Sequence, residues 1–161
     1  MAEQKTIIGI DGASKKTGVA VIQNNKLVQY GILDYHNVKD PEQRVTNMTI
    51  GITDILSRYS PAIIWMEDTW TSANPRVSQM LTTILGGVRY WATTHDCEFH
   101  SILPSSWRKE LNMNEHGAKR QELKKKSIDY IKEHFDIKVS DDISDAICIA
   151  IVGNIYKEKS E

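Results

Sequence analysis

Long apolar runs are missing from this chain of 161 residues. None approaches the ~20 residues that a membrane-spanning helix needs, so no membrane partner is expected. A leader pattern is missing too: "MAEQKTIIGID" carries charge and runs straight into a strand-like segment. The expected location is therefore the cytoplasm. Cysteine is scarce, and the pair Cys97 and Cys148 lacks metal-ligand spacing, which leaves two buried free thiols as the plain reading. An excess of either charge is lacking as well, since the formal net charge is −1. That balance argues neither for nor against nucleic acid. Internal repeats, low-complexity stretches and linkers are absent, and the length suits one domain spanning residues 1–161 with a proper core.

What is present begins with a local charge pattern. Between Arg108 and Lys132 there are eight basic residues against four acidic ones. Such an excess can hold phosphates, although a solvated helix face has the same composition.

Periodicity then orders the chain. "TIIGID" (6–11) is a short apolar run ending in an acid, and "TGVAVI" (17–22) and "LVQYGIL" (27–33) are further strand-like runs. Asn24-Asn25 between the last two is a hairpin signal. From Pro41 the period becomes helical through Val45, Met48, Ile52, Leu56 and Tyr59, until Pro61 stops it. "AIIWME" (62–67) reads as a central strand covered on both faces. A second long helix is expected over 75–94, with Gly86-Gly87 allowing close approach of another backbone. A fifth strand (97–103), a short "PSSWRKEL" helix, a loop around 112–117, a basic helix over 118–134 and a last helix from about Asp141 follow. This order predicts an α/β fold with a five-stranded mixed sheet: three antiparallel strands, then parallel strands delivered by helical crossovers.

The acids fall where ligands bind in such sheets. Asp11 and Glu67 each end an apolar strand, and carboxyl ends of strands carry the sites of open α/β sheets. Asp142 and Asp145 lie about one turn apart on a single helix face. Asp141, by contrast, reads as a cap or first-turn acid facing the helix dipole. No basic residue in a matching apolar run is expected to neutralise Asp11 or Glu67. Carboxylates gathered without partners favour a hard cation, Mg²⁺ or Mn²⁺ rather than zinc.

Taken in order, "IIGIDGASKKTGVAVI", "IIWMEDTW" and "DDISDAICIAI" resemble the RuvC-type Holliday-junction resolvases of the RNase H-like nuclease superfamily. The resemblance covers nearly the whole chain, and its small size and divergence are similar to a bacteriophage member. It implies an RNase H-like fold and a metal-dependent endonuclease that resolves four-way or branched DNA as a homodimer, with no small-molecule cofactor beyond metal. The implied catalytic and metal-binding acids are Asp11, Glu67, Asp142 and Asp145, holding two Mg²⁺ per site, with Mn²⁺ able to substitute. Asp11 would bridge both ions, Glu67 would lie on the leaving-group side, and Asp142 and Asp145 on the nucleophile side. Gly12-Ala13 replaces the family's usual Pro-Gly after the first acid, which alters a tight turn rather than the chemistry.

Implied DNA contacts are Trp70, which holds the place of an aromatic that stacks at the junction centre, and Arg76, Arg108, Lys109, Lys119, Arg120 and Lys124. Arg108 and Arg120 fall on the family's lysine positions by local alignment, with Lys109 and Lys119 one residue away. The helix over 75–94, with Tyr90 and Trp91, is the expected dimer face. Other readings keep the fold and change the task. One is a nuclease for flaps or structured RNA. A second is a non-catalytic junction binder. The third is a small-molecule ATPase or kinase of the actin and sugar-kinase group, whose phosphate hairpin "GIDGASKKTG" resembles but whose second domain has no room here.

Overall fold

The computed structural model describes residues 5–68 and 73–161. Its elements are β1 (Thr6–Asp11), β2 (Lys16–Gln23), β3 (Lys26–Asp34), α1 (Pro41–Tyr59), β4 (Ile63–Glu67), α2 (Pro75–Thr94), β5 (Glu98–Ile102), α3 (Pro104–Glu110), α4 (Arg120–Phe135) and α5 (Asp141–Ser160). The strands form one sheet in the order β3-β2-β1-β4-β5. β1–β2 and β2–β3 are antiparallel, while β1–β4 and β4–β5 are parallel. This is the expected mixed sheet. Asn24 and Asn25 both take positive φ, 51° and 65°, in the hairpin between β2 and β3, as a tight turn matched to strand twist requires.

The period of two along each strand sorts side chains onto two layers. Ile8, Ile10, Val19, Val21, Ile64 and Met66 face α1 and α2, packing with Met48, Ile52, Leu56, Ile84 and Val88. Ile7, Ala20 and Ile22 face the other way, against Trp107, Ile131, Ile147 and Ala150 of α3, α4 and α5. Burying a side chain of this size contributes about 1.5–3 kcal/mol, so the two apolar layers fix the sheet firmly.

α5 lies unusually close to the sheet. A Cβ on Gly9 of β1 would sit 2.5 Å from the carbonyl oxygen of Ala146, and one on Gly18 of β2 only 2.0 Å from that of Asp142. Those two glycines let helix backbone rest on strand backbone. At the far end of β1, Lys5 Nζ lies 2.6 Å from Glu161 Oε1 at the close of α5.

Of the two roles open to Asp141, it takes that of a first-turn acid: Ser140 caps α5, its side chain accepting from the Ile143 amide. Two details differ from the sequence reading. Gly87 makes room for the side chain of Thr49 rather than for a backbone, while Gly86 opens to solvent. Trp91 is buried in the α1–α2 layer and stacks on His95, so it is unavailable to a dimer face. Arg108, one of the implied DNA contacts, is a buried side chain. Cys97 and Cys148 are buried free thiols, and no helix among the described residues is long and apolar enough to cross a membrane.

Candidate active site

Register brings the first two acids together. β1 pairs in parallel with β4 through Ile7–Ile63 and on to Ile10–Met66, so the next pair along is Asp11 and Glu67. Positions 7, 9 and 11 of β1 and 63, 65 and 67 of β4 share the α5 face by the strand alternation. Both carboxylates therefore point toward the layer that α5 occupies. Asp11 also pairs with Gly18 in the antiparallel register, and Gly18 is the residue against which the Asp142 backbone rests. Missing side-chain bulk at that one position sets the start of α5, with Asp142 and Asp145, over the end of β1.

The electrostatics record this convergence. The Asp11 carboxyl is pushed well above the usual carboxylate range, first by burial and then by the charges of Glu67, Asp145, Asp142 and Asp141. Glu67 is raised mainly by burial, against a hydrogen bond from Trp107 that favours its charged form. Burial likewise raises Asp145, to about 6, although Arg108 pulls it down. Asp142 is raised by burial and by Asp141, with Lys124, Lys16 and Arg120 opposing. Burial also raises Asp141, but the Lys124 ammonium at 2.6 Å outweighs it and leaves this acid below its ordinary value. Asp141 thus differs from its neighbours physically: a close cation holds it below its ordinary value, while burial and like charge hold Asp11, Asp142 and Asp145 above theirs.

Arg108 comes closest to a counter-ion for the cluster. Its Nη2 lies 3.6 Å from Asp145 Oδ2, and its guanidinium stacks 4.2 Å from the Trp107 ring centroid. The ion pair is thus with Asp145, while Glu67 feels the Arg108 charge without pairing to it. Compensation remains incomplete, because Asp145 Oδ1 and Arg108 Nε are buried without hydrogen-bond partners. Trp107, buried completely, donates from Nε1 to Glu67 Oε2 at 2.7 Å. Nothing in the sequence singles it out, since α3 is only seven residues long and shows no period.

Among the described residues, no three His, Cys, Asp or Glu side chains close into a ready-made cage. The donor set still suits a hard divalent cation: carboxylate oxygens only, mutually repelling, one buried oxygen without a partner. A cleft of about 210 Å³ opens beside Glu67, lined also by Gly12, Met66, Asp68 and Leu81. The turn after Asp11 is closed by Thr17, whose Oγ1 accepts from the Ala13 amide at 3.0 Å and donates to its carbonyl at 2.8 Å. Behind it the buried Arg44 donates to the Val38 carbonyl at 3.0 Å and reaches Ser14 Oγ at 3.4 Å.

Of the remaining candidates, Lys124 and Arg120 are near enough to act on Asp142. Lys109, Lys119, Arg120 and Arg76 are exposed, and Lys124 is half-buried in its pair with Asp141. Trp70 lies outside the described residues.

An RNase H-like fold with carboxylates gathered at the carboxyl edge of its central strands is the class that this architecture defines. Residues 7–153 match the family "Crossover junction endodeoxyribonuclease RuvC". The enzyme of that name from Citrifermentans bemidjiense is 32% identical over 72 residues, 42% of this chain and 44% of the relative. The match thus spans under half the length of that relative. The Ehrlichia canis enzyme is 24% identical over 151 residues, covering 90% of this chain and 93% of its own. Thermus thermophilus RuvC, solved in complex with a Holliday junction substrate, has the same fold, with a TM-score of 0.75 at 16% identity over 96% of both chains. The chain belongs to the RuvC family.

Proposed function

We propose that the chain is a divalent-metal-dependent endonuclease that resolves four-way DNA junctions, working as one nuclease domain per subunit of a homodimer. The observation that carries this reading is the meeting of Asp11, Glu67, Asp142 and Asp145 at one sheet edge, with burial and neighbouring acids raising all four above their usual pKa. Family membership supplies the substrate class.

Asp11, Glu67, Asp142 and Asp145 would hold two Mg²⁺ ions, with Mn²⁺ able to substitute. When bound, such ions lower the pKa of an attacking water and stabilise the departing 3′ oxygen. The chain's own groups do the rest. Asp11, at the end of the central strand and facing the other acids, is placed to serve both positions. Glu67 lies on the side of the cleft, and Asp142 and Asp145 approach from α5. Arg108, fixed by its stack on Trp107, keeps a permanent positive charge near the scissile phosphate. An arginine cannot surrender its proton near neutrality, so charge stabilisation is its role. Exposed Lys109, Lys119, Arg120 and Arg76 then bind the flanking backbone, with Lys124 available once it leaves Asp141, and Trp70 would stack on unpaired bases.

Cleavage of a synthetic four-way junction in Mg²⁺ tests this directly. D11N should lose at least 1,000-fold in rate while binding the junction with wild-type affinity. Normal cleavage by D11N would refute the assignment. Flap, three-way and RNA–DNA substrates, run beside the junction with one preparation, decide the substrate class.

A further inference from the structure

Trp107 brings a large apolar body and one donor to the site. The body is wholly buried in the α3–α4–α5 layer, and the single donor, Nε1, ends on Glu67 Oε2 at 2.7 Å. Its placement follows from the chain path. Ile102 at the end of β5 pairs with Glu67, and its carbonyl accepts from the Asp68 amide at 2.8 Å. Two residues later Pro104 opens α3, and its first turn delivers Trp107 beside the end of β4.

Chemistry explains why an indole is suited to this place. A lysine or arginine bonded to Glu67 would neutralise the charge that a cation must find there. An indole N–H is a donor only and carries no charge, so it orients the carboxylate and leaves it anionic. The next residue, Arg108, makes the contrast: it places its cation on Asp145, and it is held there by the face of the same indole. One side chain thus fixes Glu67 through its edge and Arg108 through its face.

We propose that Trp107 is a positioning residue of the active site, whose indole N–H presets the Glu67 carboxylate for divalent-cation binding. This rests on reading Glu67 as a metal ligand. Donors that orient a metal ligand from behind typically change metal affinity about 10–100-fold when removed.

The decisive variant replaces Trp107 with benzothienylalanine, which keeps the bicyclic shape and puts sulfur where the N–H was; W107F is the simpler companion. Calorimetric titration of the DNA-free protein with Mg²⁺ should show affinity lowered about 10-fold in the isostere. Its kcat on a four-way junction should fall with KM unchanged. In ¹H–¹⁵N spectra of the wild-type protein, the indole resonance that vanishes in W107F should move as Mg²⁺ is added. Equal Mg²⁺ affinity in the isostere and the wild-type protein overturns the inference and leaves the nuclease reading standing. A wild-type protein that takes up no Mg²⁺ overturns both.

Discussion

Asp145 shows what it costs to gather acids inside a fold. It is 8% exposed, and burial lifts its carboxyl to about 6. A carboxyl raised in the folded state stabilises that state only while protonated. Its contribution is therefore complete below about pH 4, the ordinary value, and is lost as pH rises through about 6. A displacement of this size corresponds to roughly 3 kcal/mol at neutral pH. D145N cannot ionise, so in EDTA it should match the wild-type protein near pH 4 and exceed it in stability at pH 7.5. Denaturant melts across that range check this; parallel curves would mean that Asp145 does not titrate near 6. The same substitution should abolish junction cleavage, so the stability gained and the activity lost come from one charge. The turn after Asp11 is a second residue-scale case. Thr17 closes it by hydrogen bonds to both backbone groups of Ala13, so the family's usual Pro-Gly is not needed to hold the loop.

Among the elements, α5 depends on absent atoms. Gly18 stands under Asp142 and beside Asp11. G18A must drive the start of α5 off the sheet, because the obstacle is a backbone carbonyl and not a flexible side-chain tip. Overpacking of this kind costs about 1–3 kcal/mol or more. A lowered melting temperature and loss of cleavage at temperatures where the variant is still folded are the expected results; wild-type cleavage by folded G18A would show that Asp142 need not be held there. Strands and long helices were legible beforehand because apolar runs of period two and helical spacing carry them. Asp11 and Glu67 were legible because each ends such a run. The Trp107–Arg108 pair was not, because α3 is too short for a periodic pattern and both residues matter through contacts far along the chain, 40 residues back to Glu67 for the indole. The true cap, Ser140, was hidden by three aspartates that are themselves good capping residues.

At the scale of the whole molecule, a junction with two symmetric strands calls for two sites in matching orientation. The exposed face of α2 carries Gln79, Thr82, Thr83, Gly86 and Tyr90, with Tyr90 72% exposed. Withdrawing Trp91 into the core shifts the proposed dimer contact onto this stripe. If the proposed dimer forms through this stripe, Y90E and G86R should sediment as monomers where the wild-type protein sediments as a dimer, and should nick one strand without the paired second cut. Dimeric Y90E and G86R would move the interface elsewhere. The ion pair of Lys5 with Glu161 has a practical corollary. It sits at the start of β1, a strand of six residues, and so about 20 Å from the acids at its other end. Because Cys97 and Cys148 are buried, E161C would take a thiol-reactive dye selectively at this corner. Junction binding could then be followed by fluorescence without disturbing the acids.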